Sequence, residues 1–427
     1  MGAQQRGKFH VRFRSGLRRR SVAITALIAS SLMVLAGCSA DRSGSVELPA
    51  QEDAALPDDI TTRIDDAVGR ALGLAASPGA IVGVWAPWSG SHVTGYGTTE
   101  VGGDEPMTPD MRVRAASITK AMTCTVLYGL IDDGRVALDD LASDYVGVVG
   151  IEGITLGQLC QSTSGLGNFR QTFDGQFVTN PTRPWVAEEL VTDGIARSSD
   201  AAPGSAFAED DTAYVLLGMA LEQIGEDSLA GLYERYVFDP IGMSDSSMPG
   251  RATTALPEPA PHGYHVVDDC AAPKDVSELS PSMLGGAGGA VSTVEDLGRF
   301  AQAFATGSPF SEELAATEWK TVPLGGDAPT WQSYGYGGFE LGPLRGQAGS
   351  IPGFSTAAFS DPTTGLTVVV VLNSSTAPPK LAQSLALELA SYASSAPAAE
   401  GRTQPEPSLP WSAEQMQEQS ASAAVCQ

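Results

Sequence analysis

Ser117 and Lys120 stand three residues apart in "AASITKAMTCTVLYGLI" (115–131), and Lys120 is one of only five lysines in 427 residues. On a helix, positions i and i+3 share a face, so the hydroxyl and the amine can meet. Ile118, Met122, Val126, Leu127, Leu130 and Ile131 make this helix apolar nearly all round, which predicts burial. Burial disfavours an ammonium, so a partly neutral Lys120 can take the proton of Ser117 and leave a nucleophilic oxygen. A helix that begins at Ser117 adds exposed N–H groups, which favour a developing negative charge. The chemistry is acyl transfer through a serine. Ser-x-x-Lys is too short to establish this alone, and a lysine snorkelling from a surface helix is the alternative.

The elements that must hold this helix come from both ends of the chain. Asp58 is expected to cap a helix whose apolar positions Ile60, Ile64, Val68, Ala71 and Leu72 keep helical spacing. The β-rich runs 80–86 and 92–97 follow, joined by the turn "PWSGS". Near the other end, residues 333–340, 353–360 and 366–373 read as strands, the last two linked by "DPTTG". A helix with Leu381, Leu385 and Leu389 on one face comes next. Residues 109–305 are mostly helices and loops. The fold expected is therefore of the α/β (α+β) class, one antiparallel sheet built from both chain ends, flanked by helices, with a helical subdomain inserted.

Seven basic residues and no acidic ones lie in residues 1–37, where an apolar run from Val22 to Leu35 leads to Ala36-Gly37-Cys38. This pattern reads as a secretion signal rather than a transmembrane span. Its end resembles a bacterial lipobox, which implies lipidation of Cys38 and attachment at the extracytoplasmic face of the cell membrane. Loss of residues 1–37 takes the net charge from −25 to −32. So acidic a chain is repelled by phosphate backbones and anionic headgroups, which excludes a nucleic-acid partner and leaves acyl chains as the anchor. Residues 38–56 read as a tether, and 396–427 as a polar tail in which Ser412 and Gln415 stand in capping-box register. A docked terminal helix and a disordered tail both suit that composition, with Trp411 and Cys426 favouring the helix. Cys124, Cys160, Cys270 and Cys426 allow three disulfide pairings. Their spacing matches no zinc motif, and with four histidines neither a metal nor a cofactor is expected.

The sequence around Ser117, "MTPDMRVRAASITKAMT", resembles the active-site segment of serine beta-lactamases and penicillin-binding D-alanyl-D-alanine carboxypeptidases, particularly the class C and esterase-like branch. The runs 154–166, 203–225, 285–304 and 349–373 resemble later landmarks of that family in the right order, so the likeness covers roughly residues 57–395. It implies a monomeric hydrolase of small-molecule or peptide substrates, with an oxyanion hole from the backbone N–H groups of Ser117 and Ser350, beside Gly349. It also implies that the helices carrying Cys124 and Cys160 pack together. That pairs Cys124 with Cys160 and leaves Cys270 for Cys426.

Two family motifs are altered. Where the family has Tyr-x-Asn this chain has Glu209 and Asp211, and where it has Lys- or His-x-Gly this chain has Gln347-Ala348-Gly349. Two carboxylates replace neutral groups, and an amide replaces a cation. A substrate carboxylate loses a partner and gains repulsion, so neutral or cationic ligands are expected at Asp211, Gln347, Gly349 and Ser350. The carboxylates would hold Lys120 protonated, and Glu209 then becomes the candidate base. One alternative makes "AEDD" a solvated acidic loop with Tyr214 as the relay. Another makes the whole protein a non-catalytic ligand binder, with Lys120, Glu209 and Asp211 an inert ion cluster. His262 and His265 are read as loop residues outside the motifs.

Overall fold

The computed structural model describes residues 50–426 apart from 52, 53, 309 and 407, and only the backbone of 312. Cys38 and the expected signal lie outside the described residues. The first helix, α1 (Asp58–Ala75), buries Ile60, Ile64, Val68 and Ala71 along one stripe. Asp58 is not its cap. Pro57 holds the N-cap position with φ −55° and ψ 147°, no side chain caps the helix, and Asp58 is its first residue. Strands β1 (Gly79–Ala86) and β2 (Gly90–Gly97) form the expected hairpin.

The chain then leaves the sheet. Helix α2 (Ile118–Asp132) is buried at every residue from 118 to 130, as its all-round apolar pattern requires. The short α3 (Leu156–Cys160), α4 (Arg170–Thr179) and α5 (Thr212–Gly225) belong to the inserted region, and α6 (Val294–Thr306) returns the chain to the sheet. The remaining strands of this sheet are β3 (Val322–Pro323), β4 (Gln332–Tyr334), β5 (Phe339–Leu341), β6 (Leu344–Ile351), β7 (Phe354–Ser360) and β8 (Thr367–Leu372). The strand expected over 333–340 is in fact the β4–β5 hairpin, broken where Gly337 takes a positive φ of 90°.

The antiparallel sheet runs β2-β1-β8-β7-β6-β5-β4-β3, so strands from the two chain ends meet where β1 pairs with β8. Alternation fills both faces. Val369 and Val371 point into the core that holds α2 and α6, while Val368, Val370 and Leu372 meet α1 and α7 (Pro379–Ser394). The tail docks: α8 (Ala413–Ser422) carries both hydrogen bonds of the Ser412–Gln415 capping box, and Trp411 and Met416 are buried. Disulfides join Cys124 to Cys160 and Cys270 to Cys426, with Cα–Cα distances of 5.8 and 5.6 Å. No helix among the described residues is long and apolar enough to cross a membrane.

Candidate active site

Ser117 sits at the N-cap of α2, the end where helix N–H groups lack intrahelical partners. The residue before it, Ala116, has φ 49°, a left-handed conformation rare for a residue with a Cβ and typical of strain held at functional sites. The segment is fastened on two sides. Ala115 N–H donates to the Ala290 carbonyl, and Thr356 Oγ1 on β7 donates to the Ala115 carbonyl at 2.8 Å. The N–H groups of Ile118, Thr119 and Lys120 close turns onto the carbonyls of Ala115, Ala116 and Ser117, a set that does not include the N–H of Ser117 itself. Across from it lies Gly349 on β6. A Cβ there would stand 2.0 Å from Ser117 Oγ, so only glycine allows the strand to approach this closely. Ser350, the other expected oxyanion donor, is the next residue along that strand.

Lys120 is buried with its ammonium turned to two carboxylates, 2.8 Å from Asp211 Oδ1 and 3.4 Å from Glu209 Oε1. Burial alone would lower its pKa, but Asp211 and then Glu209 overcome this and hold it above the ordinary lysine value. Lys120 is thus an ammonium here, not the neutral base that its apolar helix suggests. Among the described residues no hydrogen bond reaches Ser117 Oγ. Asp211 is buried too. Burial would raise its pKa, yet Lys120 and Arg170 keep it below the usual carboxylate range. Glu209 differs from its partners, with its side chain 50% exposed.

The acidic run is not a solvated loop, because Asp210 and Asp211 are 2% and 3% exposed. Asp210 Oδ1 accepts the Ala213 N–H at 2.5 Å, satisfying one of the orphan donors at the start of α5. Burial pushes its pKa up to about 7 against that bond and against Lys120. A carboxyl raised in the folded state contributes fully below its unfolded pKa near 4 and loses that contribution as pH climbs toward 7. Asp210→Asn keeps the acceptor and cannot ionise. It should match the parent at pH 4 and exceed it at pH 8 by up to about 4 kcal/mol, read from urea unfolding at both pH values. Parallel pH dependences in the two proteins would contradict this.

Tyr214 is not free to relay protons to Ser117. Its buried hydroxyl donates to the Cys160 carbonyl at 2.8 Å and also meets Ser162 Oγ and Tyr334 Oη. Gln347, expected to face substrate, has both amide donors engaged inside the protein, on Tyr334 Oη and the Gly337 carbonyl at 3.0 Å each. Its Oε1 accepts the Ala348 N–H, so its role is to brace β6. His262 pairs with Asp275, and His265 lies on a two-residue strand with Nδ1 3.0 Å from Ser375 Oγ. Among the described residues no cluster of His, Cys, Asp and Glu could hold a metal.

Arg170 was missed from sequence. It opens α4, and its Nη1 lies 3.6 Å from Asp211 Oδ2 and donates to the Ser350 carbonyl at 3.0 Å. Its Nε pairs with Asp174 at 2.7 Å. The one local clue is a cation in the first turn of a helix, the wrong sign for the dipole, with an acid four residues on.

The family model for Beta-lactamase matches residues 64–391. The chain is 28% identical over 278 residues to the D-alanyl-D-alanine-carboxypeptidase/endopeptidase AmpH of Escherichia coli, covering 60% of this chain and 68% of that protein. A D-stereospecific amidohydrolase from Streptomyces sp. superposes with a TM-score of 0.63 at 28% identity, covering 72% of this chain and 94% of that one. The D-amino acid amidase of Ochrobactrum anthropi SV3 gives 0.64 at 24% identity over 74% and 92% of the two chains, a likeness of fold. A match that runs from α1 through α7, enclosing both the Ser117 helix and the strand that faces it, shows that this chain belongs to the Beta-lactamase family, a family of serine hydrolases.

Proposed function

We propose that the protein is a serine hydrolase, lipid-anchored through Cys38 outside the cell membrane, that cleaves small neutral or amino-terminally charged esters and amides through an acyl-enzyme on Ser117. The observation that carries this reading is the seat of Ser117 at the start of α2 against Gly349, with Lys120, one turn on, held as an ammonium against the half-exposed Glu209. Ser117 Oγ attacks the substrate carbonyl carbon while its proton passes to Glu209. The N–H groups of Ser117 and Ser350 and the Lys120 charge stabilise the oxyanion. Collapse expels the alcohol or amine, which takes the proton from Glu209. Water activated by Glu209 then attacks the acyl carbon and releases Ser117.

Substrate preference follows from charge. Lys120 and Arg170 offset Asp211 and Glu209, two cations against two carboxylates, and Glu209, with its side chain 50% exposed, is the one of the four that most faces solvent. At about 6 Å and an effective dielectric near 20, a unit charge contributes roughly 3 kcal/mol, and even half of that is about tenfold in rate. Short-chain esters and amides of D-residues with a free amino group should be cleaved faster than penicillins or peptides ending in D-Ala-D-Ala. The Streptomyces relative, described as a D-stereospecific amidohydrolase, supports that choice. Glu209→Tyr with Asp211→Asn should shift kcat/KM toward the carboxylate-bearing substrates by about tenfold. Efficient hydrolysis of benzylpenicillin by the native protein, with a neutral ester turned over more slowly, would sink the charge argument.

The anchor has its own test. Cys38→Ser should release the protein into the medium or leave its precursor unprocessed. If that variant stays on the membrane and matures normally, the attachment lies elsewhere. A second reading, a ligand-binding protein without turnover, draws on the way Lys120 is locked between two carboxylates. Covalent labelling of Ser117 separates the two.

A further inference from the structure

Strand β6 has one paired side and one open side near the nucleophile. On one side β7 pairs with it from Arg345 to Ile351, whereas on the other β5 pairs only from Leu344 to Gly346. Beyond Gly346 no strand pairs with the second side, and Ser117 lies close against this stretch, where a Cβ on Gly349 would meet its Oγ. A strand edge without a partner strand is a template for an extended peptide, whose N–H and C=O groups would continue the ladder, and here that unpaired stretch is buried. In an antiparallel ladder alternate residues direct both backbone groups to the same edge, so Ala348 and Ser350 share one direction. Both are already engaged there. The Ala348 N–H donates to Gln347 Oε1, and the Ser350 carbonyl accepts from Arg170 Nη1.

We infer that Arg170 is a specificity residue: it occupies the Ser350 carbonyl and denies that acceptor to the amide N–H of an N-acylated or internal peptide residue. Substrates are thereby confined to simple acyl groups and to residues with a free amino group, which need no such acceptor. This deepens the proposed acyl-enzyme reaction at Ser117 and rests on it. The placement of Arg170 agrees with a plug rather than a helix stabiliser. A guanidinium in the first turn opposes the dipole of α4, and Asp174 and Asp211 hold it in place from two sides. It is also the cation nearest the open edge at Ser350, since the family's own cation position is Gln347 here.

The test compares two neutral-sided probes in the Ser117→Ala background, N-acetyl-D-phenylalanine amide and D-phenylalanine amide, by calorimetric titration. Arg170→Met should raise the affinity for the N-acetyl amide relative to the free-amino amide by about tenfold, the worth of one regained hydrogen bond. Loss of a cation would by itself favour the positively charged free-amino probe, so a shift toward the N-acetyl amide cannot come from charge. Measuring both ligands on one preparation removes any contribution from a misfolded fraction. An unchanged or falling ratio overturns the plug. Fluorophosphonate labelling of the parent is scored separately: its failure strikes the Ser117 reaction, while the ratio still judges Arg170.

Discussion

Glu209→Gln should lower kcat by about 10²- to 10⁴-fold with little change in KM. The argument begins at Lys120. Its ammonium lies 2.8 Å from Asp211 and 3.4 Å from Glu209, and those charges hold it protonated in spite of burial, so it has no free lone pair for the Ser117 proton. Asp211 cannot substitute, because Lys120 and Arg170 keep its carboxylate ionised by binding it and so make it a poor proton acceptor. Glu209 is the remaining group, half exposed and next to the ammonium. Glutamine preserves its shape and its acceptor for Lys120 but cannot carry the proton. The measurement is steady-state kinetics on a short-chain ester for which the parent shows turnover. A loss of less than about threefold would mean that another group takes the proton.

Asp211→Ala should destabilise the fold by about 3 kcal/mol or more, because it leaves the buried Lys120 and the neighbouring Arg170 without their shared partner. Glu209 remains near Lys120 and sets the loss at the lower end of the range for a broken buried pair. Removing both charges is a different matter. Lys120→Met with Asp211→Leu strands no buried ion at Lys120, so the double variant should be more stable than Asp211→Ala alone. Urea unfolding of the two variants and the parent checks the order. A single variant within about 1 kcal/mol of the parent would show that the site admits enough water to solvate Lys120 on its own.

What could be read before the fold was known was whatever is written locally. The buried helix after Ser117 is legible because its apolar residues go all round. The two hairpins at the chain ends follow from short β-rich runs separated by turn residues, and the capping box of Ser412 and Gln415 is a pattern of four residues. The misreadings are equally local. Asp58 reads as a cap, but Pro57 can hold an extended N-cap without a side-chain hydrogen bond, and the β4–β5 hairpin hides in a run whose glycines look like strand. Arg170 could not be found in this way. Its partners Asp211 and Ser350 lie 41 and 180 residues further along the chain, and only the fold brings α4, the start of α5 and β6 together. Gln347 fails for the same reason, since the Tyr334 hydroxyl and Gly337 carbonyl that engage its amide belong to the preceding hairpin.

The central claim is that Ser117 is a working nucleophile. The most direct measurement is incubation of the full-length protein with a fluorophosphonate, followed by mass mapping of its peptides beside those of Ser117→Ala. The account predicts one modified serine, Ser117, and no labelling in the variant. Unmodified Ser117 in the native protein, or labelling that survives in Ser117→Ala, would contradict it.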